Sequence, residues 1–286
     1  MDRSSAIPAD AAGRVTLGDL TVHRIGYGSM RLCADYAWGM PRDRDYAHRL
    51  LRRALDLGID FIDTADSYGP GVSEALIAEA LYPYPRGVVI GTKGGYMRTQ
   101  PSMWKPNGQP EHLRAALEGS LARLKLECID LYQFHIPDPS VPFEESVGAL
   151  AGLRSAGKIR HVGLSSVSVA QLEAARKIVP IVSVQNHYHF DARSDDDVVR
   201  ACERLGIAFI PWYPLGAGQS LRTAKIKRVA ARLGATPAQV ALAWQLARSP
   251  IMLPIPGTGS IEHLEENAHA AQVQLSVEDR LSLGIG

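Results

Sequence analysis

Cysteine is scarce in these 286 residues: only Cys33, Cys128 and Cys202 occur, and no CxxC spacing joins them. An odd set of separated thiols suits a reducing compartment better than a disulfide framework, and no metal site is expected. Long apolar runs are also missing, none approaching the roughly 18 residues of a membrane span. The opening MDRSSAIPADAAG lacks the apolar stretch of a signal peptide, so residues 1–13 are expected to be disordered and the protein soluble and cytoplasmic. Neither sign of charge dominates. Formal net charge is +1, with Lys and Arg scattered along helices, so the basic stripe of a nucleic-acid binder is absent. No Pro/Gly/Ser-rich linker divides the chain, and residues 1–286 read as one domain. Finally, GxGxxG is absent: 26–28, 216–218 and 257–259 are bare GxG pairs, so a nucleotide, if bound, is not held by a doubly wound fingerprint.

The chain does have 46% hydrophobic residues, arranged as short apolar runs that alternate with longer amphipathic segments. That is the pattern of βα units around a parallel sheet. Eight runs centre on 24–29, 61–65, 88–93, 129–136, 161–165, 181–186, 208–213 and 252–256. Between the first two, Ala47, Leu50, Leu51, Ala54 and Leu55 repeat at helical spacing, and Gly58 follows. Leu113, Ala116, Leu117, Ser120, Leu121 and Leu124 do the same in a later helix. Thr236-Pro237-Ala238-Gln239 reads as a capping box opening a helix through Ala247. Near the start, 15–17 and 20–22 flank Gly18-Asp19 as a hairpin. The expected fold is α/β: a (β/α)8 TIM barrel with an N-terminal β-hairpin plug and extra helices.

Four polar residues stand at or just beyond the carboxyl ends of buried runs: Asp63, Tyr68, Lys93 and His135. A carboxylate, a phenol, an ammonium and an imidazole gathered there would bias one another's protonation and make a proton-donating site. A phenol with pKa near 10 is a poor acid at neutral pH. An ammonium about 4 Å away at an effective dielectric of about 20 attracts the tyrosinate by about 4 kcal/mol, roughly three pKa units. Lys93 is thus expected to bring Tyr68 near neutrality, with Asp63 holding the ammonium. Taken singly, each has a plainer reading: Asp63 a turn residue, Tyr68 a loop aromatic, Lys93 a solvated strand end, His135 a satisfied core group.

The segments FIDTADSYG, VVIGTKGG, DLYQFH, VGLSS, VQNHYH, PLG and PIPGTGSIEHLEEN fall in the order and spacing of the aldo-keto reductase family, which the chain resembles over roughly residues 15–283. The resemblance implies reduction of an aldehyde or ketone by hydride from a nicotinamide. Tyr68 would be the general acid, Lys93 and Asp63 its tuning pair, and His135 the group that orients the carbonyl.

It also implies a cofactor site. Ser165, Ser166 and Gln185 would bind the nicotinamide carboxamide beside Asp63, and Trp212 would stack on the ring. Pro214, Leu215, Gly216 and Ala217 would follow the pyrophosphate; Gly28, Ser29, Met30 and Ile255 would line the mouth. The loop Gly257-Thr258-Gly259 runs into a helix beginning near Ile261, whose amino terminus suits an anion. Thr258, His263, Glu266 and Asn267 would meet the adenosine end. Ser166 stands where the family usually has Asn, and Trp212 where it has Tyr. Gly257 and His263 replace the Lys and Arg that many members direct at a 2′-phosphate. NADPH is expected to be preferred, with NADH possible.

For the substrate, Tyr36 and Trp38 in one loop and Tyr96 and Trp104 in another are expected to form an apolar wall. The last helix, near the end of the sequence, is not followed by a long pocket-closing loop, so an open site is expected. Within the family the chain looks most like the bacterial pyridoxal reductase branch, which makes a pyridoxal-type or other small carbonyl compound the expected partner. Nucleic acid and membrane are not expected partners, and a monomer is compatible with the sequence. Alternative readings are a redox-sensing regulatory subunit with the same fold and a barrel enzyme that binds only a phosphorylated metabolite.

Overall fold

A computed structural model describes residues 7–285. Residues 1–6 of the segment expected to be disordered lie outside that range. The rest of it is ordered, contrary to expectation: Pro8–Ala12 form a 3-10 turn, Ala9 is buried, and its N–H donates to Leu57 O at 3.2 Å. The reason is local packing, since Ile7 and Ala9 sit over Gly58, whose missing Cβ leaves room for them.

Strands β1 (Arg14–Leu17) and β2 (Leu20–His23) pair antiparallel, with Leu17 opposite Leu20. The two-residue turn between them needs positive φ, and Gly18 adopts +69° there. Val15, Leu17 and Val22 join one cluster with Phe61, Val89, Leu131 and Leu253, so the hairpin plugs the amino-terminal end of the barrel.

Next come β3 (Tyr27–Gly28), β4 (Phe61–Asp63) and β5 (Val89–Gly94), then a short antiparallel ribbon of β6 (Tyr96–Met97) and β7 (Lys105–Pro106). They are followed by β8 (Ile129–Phe134), β9 (Ile159–Ser165), β10 (Ile181–Gln185) and β11 (Ala208–Phe209). Seven of these strands form one parallel sheet in the order β11-β10-β9-β8-β5-β4-β3. The eighth run closes the barrel, bridging Phe209 to Met252 on one side and Gly28 to Gly257 on the other. Its ladder is intermittent because Pro254 and Pro256 have no N–H to donate. Leu253 N–H and Pro254 O nevertheless bond to Phe209 O and Gly26 N–H, each at 2.9 Å. The run expected at 208–213 is cut to two residues for the same reason, by Pro211.

At one crossing the closing segments approach so closely that only glycine fits this backbone. A Cβ on Gly28 would lie 2.7 Å from Ile255 O, and one on Gly257 would lie 2.9 Å from Gly28 O. Position 257 therefore has no room for a side chain on this backbone.

Helices cover the outside: α1 (Arg44–Asp56), α2 (Val72–Leu81), α3 (Pro110–Leu124), α4 (Phe143–Ser155), α5 (Val169–Arg176), α6 (Asp196–Leu205), α7 (Ala224–Leu233), α8 (Pro237–Arg248), α9 (Ile261–His269) and α10 (Val277–Ser282). In α1 the buried face is Ala47, Leu50, Leu51 and Ala54, and Asp43 caps the helix by accepting from Tyr46 N–H. Each leucine buried this way contributes roughly 1.5–3 kcal/mol. The Thr236–Gln239 capping box is formed, and α8 runs one residue beyond the expected Ala247. None of the described helices is long and apolar enough to cross a membrane.

Candidate active site

Period-two alternation sends Asp63, Gly91 and Lys93 to the same side of the sheet, and register pairs Asp63 with Gly91 and Lys93 with Gln133. Lys93 Nζ consequently reaches Asp63 Oδ1 at 2.5 Å and Thr64 O at 2.8 Å, with both ionic side chains enclosed. The second carboxylate oxygen is also satisfied. Nε2 of Gln133 and Nε2 of Gln185 donate to Asp63 Oδ2 at 3.0 and 2.9 Å. Asp63 is thus the hub of a buried network contributed by four strands. Such a network is stable because both carboxylate oxygens are paired, one with the ammonium and the other with two amide groups.

Tyr68 comes from the loop between β4 and α2, and its ring centroid lies 5.3 Å from Lys93 Nζ. His135 follows β8 and meets that ring edge-on, 6.0 Å between centroids at 81°. Trp104 contacts Tyr68 similarly at 6.3 Å, and Tyr96 contacts His135 at 4.7 Å. The four side chains singled out in the sequence are gathered at the carboxyl end of the barrel.

The electrostatics differ from expectation at Tyr68. Burial pushes its phenol well above the ordinary value, and the Asp63 carboxylate pushes the same way. Phenol near neutrality is not what the free protein has. The chief cause is burial, which the Lys93 ammonium does not outweigh because it is paired with the Asp63 carboxylate at 2.5 Å. Burial lowers the Lys93 ammonium, opposed by Asp63. Burial, then Lys93, hold His135 well below the usual imidazole range, so it is neutral at pH 7. Its Nδ1 lies 3.4 Å from Ser67 Oγ.

Beside this site is a carboxyl group of another kind. Asp66 Oδ1 is buried with no hydrogen-bond partner among the described residues. Burial, reinforced by Glu74 and opposed by Arg123, pushes Asp66 up to about 8. Glu74 itself is satisfied by Thr92 Oγ1 at 2.6 Å and Arg123 Nε at 2.7 Å. An unfolded aspartate titrates near about 4, so between there and about 8 the native state holds a proton that the unfolded state has released. Stability from this group is complete below that window and is lost as pH rises through it. Asp66→Asn should therefore raise Tm more at about pH 8 than at about pH 5, by a few degrees in thermal melts. Equal shifts at both pH values would contradict this.

Asp63, Tyr68 and His135 floor a cavity of about 410 Å³, while Lys93 is enclosed behind them and does not line it. Of the residues expected around a nucleotide, Gly28, Ser29, Met30, Ser165, Ser166, Gln185, Trp212, Pro214, Leu215, Ala217, Ile255 and Gly257 line it. Gly216 instead packs on the His189 ring, and Gly259 borders a neighbouring cavity. Thr258, His263, Glu266 and Asn267 lie farther along, on the last loop and α9, and do not border the 410 Å³ cavity. Three backbone amides expected to be free for an anion are already taken: Ser260 N by Thr258 Oγ1, Ile261 N by the Tyr46 hydroxyl and His263 N by Ser260 Oγ. Tyr96 and Trp104 join the wall as expected. Tyr36 and Trp38 do not. Tyr36 has left-handed backbone (φ +59°), is 75% exposed and borders the neighbouring cavity, and Trp38 packs near the Arg98 guanidinium.

A sequence model of the aldo/keto reductase family matches residues 24–281. The chain belongs to this family. It is 48% identical over 276 residues to an uncharacterized oxidoreductase of Schizosaccharomyces pombe, covering 96% of this chain and 90% of that one. It is 44% identical over 269 residues to pyridoxine 4-dehydrogenase of Escherichia coli, covering 92% and 94%. Among solved structures it resembles an aldo-keto reductase from Klebsiella pneumoniae in complex with NADPH, with a TM-score of 0.79, 28% identity and coverage of 94% and 93%. The protein is accordingly an oxidoreductase of the aldo-keto reductase family, built on the family's barrel.

Several residues of this aldo-keto reductase site were not anticipated. Gln133 is one, although a fully buried glutamine in an apolar strand is itself a signal. Asn186 is another: its amide accepts from Val167 N–H and donates to Val167 O, pinning the loop that carries Ser165 and Ser166. His187 stacks on Trp212, 4.4 Å between centroids at 28°. Arg31 and Tyr213 line the cavity, and Tyr213 does so from a left-handed backbone (φ +50°) that no sequence pattern announced.

Proposed function

We propose that this aldo-keto reductase reduces an aldehyde or ketone to an alcohol at the expense of NADPH, with Tyr68 delivering the proton to the carbonyl oxygen. The observation that carries this reading is the meeting of Tyr68 and His135 on the floor of one cavity, above the enclosed Lys93–Asp63 pair. Tyr68 keeps its proton at neutral pH, which is the form a general acid needs. As the proton leaves, the ammonium of Lys93 faces the growing negative charge on the phenol. His135 is neutral; in the tautomer whose Nδ1 accepts from the Ser67 hydroxyl, its own proton sits on Nε2 and can hydrogen-bond the carbonyl oxygen.

The residues present fit a nicotinamide nucleotide. Trp212, backed by His187, offers an aromatic surface, and Gln185 spends its amide hydrogens on Asp63 and Gln133, which leaves its carbonyl oxygen to accept from a carboxamide. When bound, the reduced nicotinamide supplies the hydride. We infer NADPH over NADH despite Gly257 and His263, in keeping with the NADPH complex of the Klebsiella relative. Equal or better kcat/KM with NADH would overturn that preference.

Ser166 lies at φ +58°, a left-handed conformation that asparagine tolerates better than serine. Ser166→Asn is expected to relieve this strain and reach the carboxamide more fully, tightening NADPH by about threefold in a fluorescence titration. Weaker binding would count against Ser166 as a carboxamide contact.

For the substrate, the aromatic wall of Tyr96 and Trp104 and the 44% identity to pyridoxine 4-dehydrogenase favour a pyridoxal-type aldehyde. The test is NADPH and NADH oxidation across a panel of aldehydes and ketones that includes pyridoxal. No turnover of pyridoxal beside brisk reduction of others would remove it as the substrate; no turnover of any carbonyl would remove the reductase reading itself.

A further inference from the structure

Arg98 has no part in the proton and hydride chemistry, yet it is among the most enclosed cations at the mouth of the barrel, 8% exposed. No carboxylate pairs with it among the described residues. Its charge is spread over carbonyl oxygens instead: Nη1 donates to Ala37 O at 2.9 Å and Ser67 O at 3.1 Å, and Nη2 donates to Tyr36 O at 3.0 Å and to Pro101 O. The guanidinium carbon stands 3.8 Å from the centroid of the Trp104 ring and 5.2 Å from that of Trp38. Burying an unpaired cation is costly, so an arrangement of this kind needs a compensating role.

The bonded partners indicate which role. Tyr36 and Ala37 both have left-handed backbone, φ +59° and +53°, which persists only where surrounding contacts hold it. Ser67 precedes Tyr68 and lies 3.4 Å from His135 Nδ1. Pro101 and Trp104 belong to the loop between β6 and β7. One guanidinium therefore ties two loops, its own and that of Tyr36 and Ala37, to the residue next to Tyr68. The same group covers one face of Trp104, whose indole lines the reaction cavity edge-on to Tyr68 and Tyr96. A planar fork can do both at once; an ammonium cannot.

We propose, resting on the carbonyl-reductase reading, that Arg98 is a positioning residue that sets substrate class: by clamping Trp104 as a fixed wall beside Tyr68, it makes the site select planar aromatic aldehydes over short aliphatic ones. An aromatic substrate gains from a rigid aromatic wall at a defined distance, and it loses that gain when the indole swings free. A short aliphatic aldehyde has little to lose.

The test compares kcat and KM for an aromatic aldehyde such as a pyridine carbaldehyde with those for propanal, with NADPH, in the parent enzyme, Arg98→Lys, Trp104→Ala and the double variant. Arg98→Lys keeps the charge and removes the fork. The ratio of kcat/KM, aromatic over aliphatic, is expected to fall by about tenfold, mainly through KM. Trp104→Ala should reproduce that fall, and the double variant should add little to it, because both act through one wall. A ratio unchanged in Arg98→Lys, or a fall of equal size in kcat for both aldehydes, overturns the proposal, since a merely structural role moves both substrates together. Should Arg98→Lys not fold, Trp104→Ala with an unchanged ratio overturns it alone. A parent enzyme that reduces neither aldehyde fails earlier, at the reductase reading.

Discussion

Tyr68→Phe is expected to lower kcat for aldehyde reduction by about a thousandfold or more, with NADPH affinity within about twofold of the parent. The substitution removes one hydroxyl and keeps the ring, so the edge contacts to His135 and Trp104 survive. What it removes is the proton donor that stands over the Lys93–Asp63 pair. The position costs little to change structurally, because burial already disfavours the ionised phenol and the Asp63 carboxylate adds to that. Melting temperature should therefore stay put while the chemical step collapses. Single-turnover mixing of the NADPH complex with aldehyde isolates that step, and fluorescence titration reads cofactor binding separately. Retention of the rate within tenfold would show that another group donates the proton. In the parent enzyme the raised phenol also fixes a pH signature: the reductive rate should hold across neutral pH and decline only on the alkaline side, where Tyr68 begins to lose the proton it must give.

Much of this site was legible in the sequence because each essential group ends a short apolar run. Asp63 closes β4, Lys93 stands one residue before the end of β5, and His135 follows β8, so alternation alone sends the first two inward at one end of a parallel barrel. The hairpin plug was legible from Gly18-Asp19 between two β-rich triplets, and α8 from its capping box. Other features depend on contacts between segments far apart in the chain. Nothing in the sequence singles out Arg98, whose place depends on the carbonyls that Tyr36, Ala37, Ser67 and Pro101 bring to it. The expected fall in the Tyr68 pKa failed because the enclosure of the phenol is a property of the assembled barrel: burial is the largest cause of its rise, and the Asp63 carboxylate adds to it. Tyr36 and Trp38 were placed on the cavity wall by proximity in sequence. Backbone with positive φ at 36 and 37, held by Arg98, disposes the loop otherwise.

Lys93→Met should destabilise the fold by about 3–5 kcal/mol and reduce the rate of proton transfer by at least about a hundredfold, two effects with separable causes. Methionine fills most of the volume of the lysine stem, so packing loss is small. The stability loss comes from Asp63, left as an enclosed carboxylate with two glutamine amides on Oδ2 and no cation on Oδ1. That predicts a rescue. In Asp63→Asn/Lys93→Met no buried charge remains, and the double variant should recover at least about 2 kcal/mol in urea unfolding relative to Lys93→Met alone. Activity should not recover with it. A phenol surrendering its proton in an enclosed site leaves an anion, and the double variant has no ammonium beneath Tyr68 to meet that charge. Stability regained without rate would assign the ammonium to the chemistry and the carboxylate to holding it in place. A double variant that regains the rate would instead mean that Lys93 serves only to neutralise Asp63; one as unstable as the single variant would mean that shape, not charge, holds this part of the barrel together.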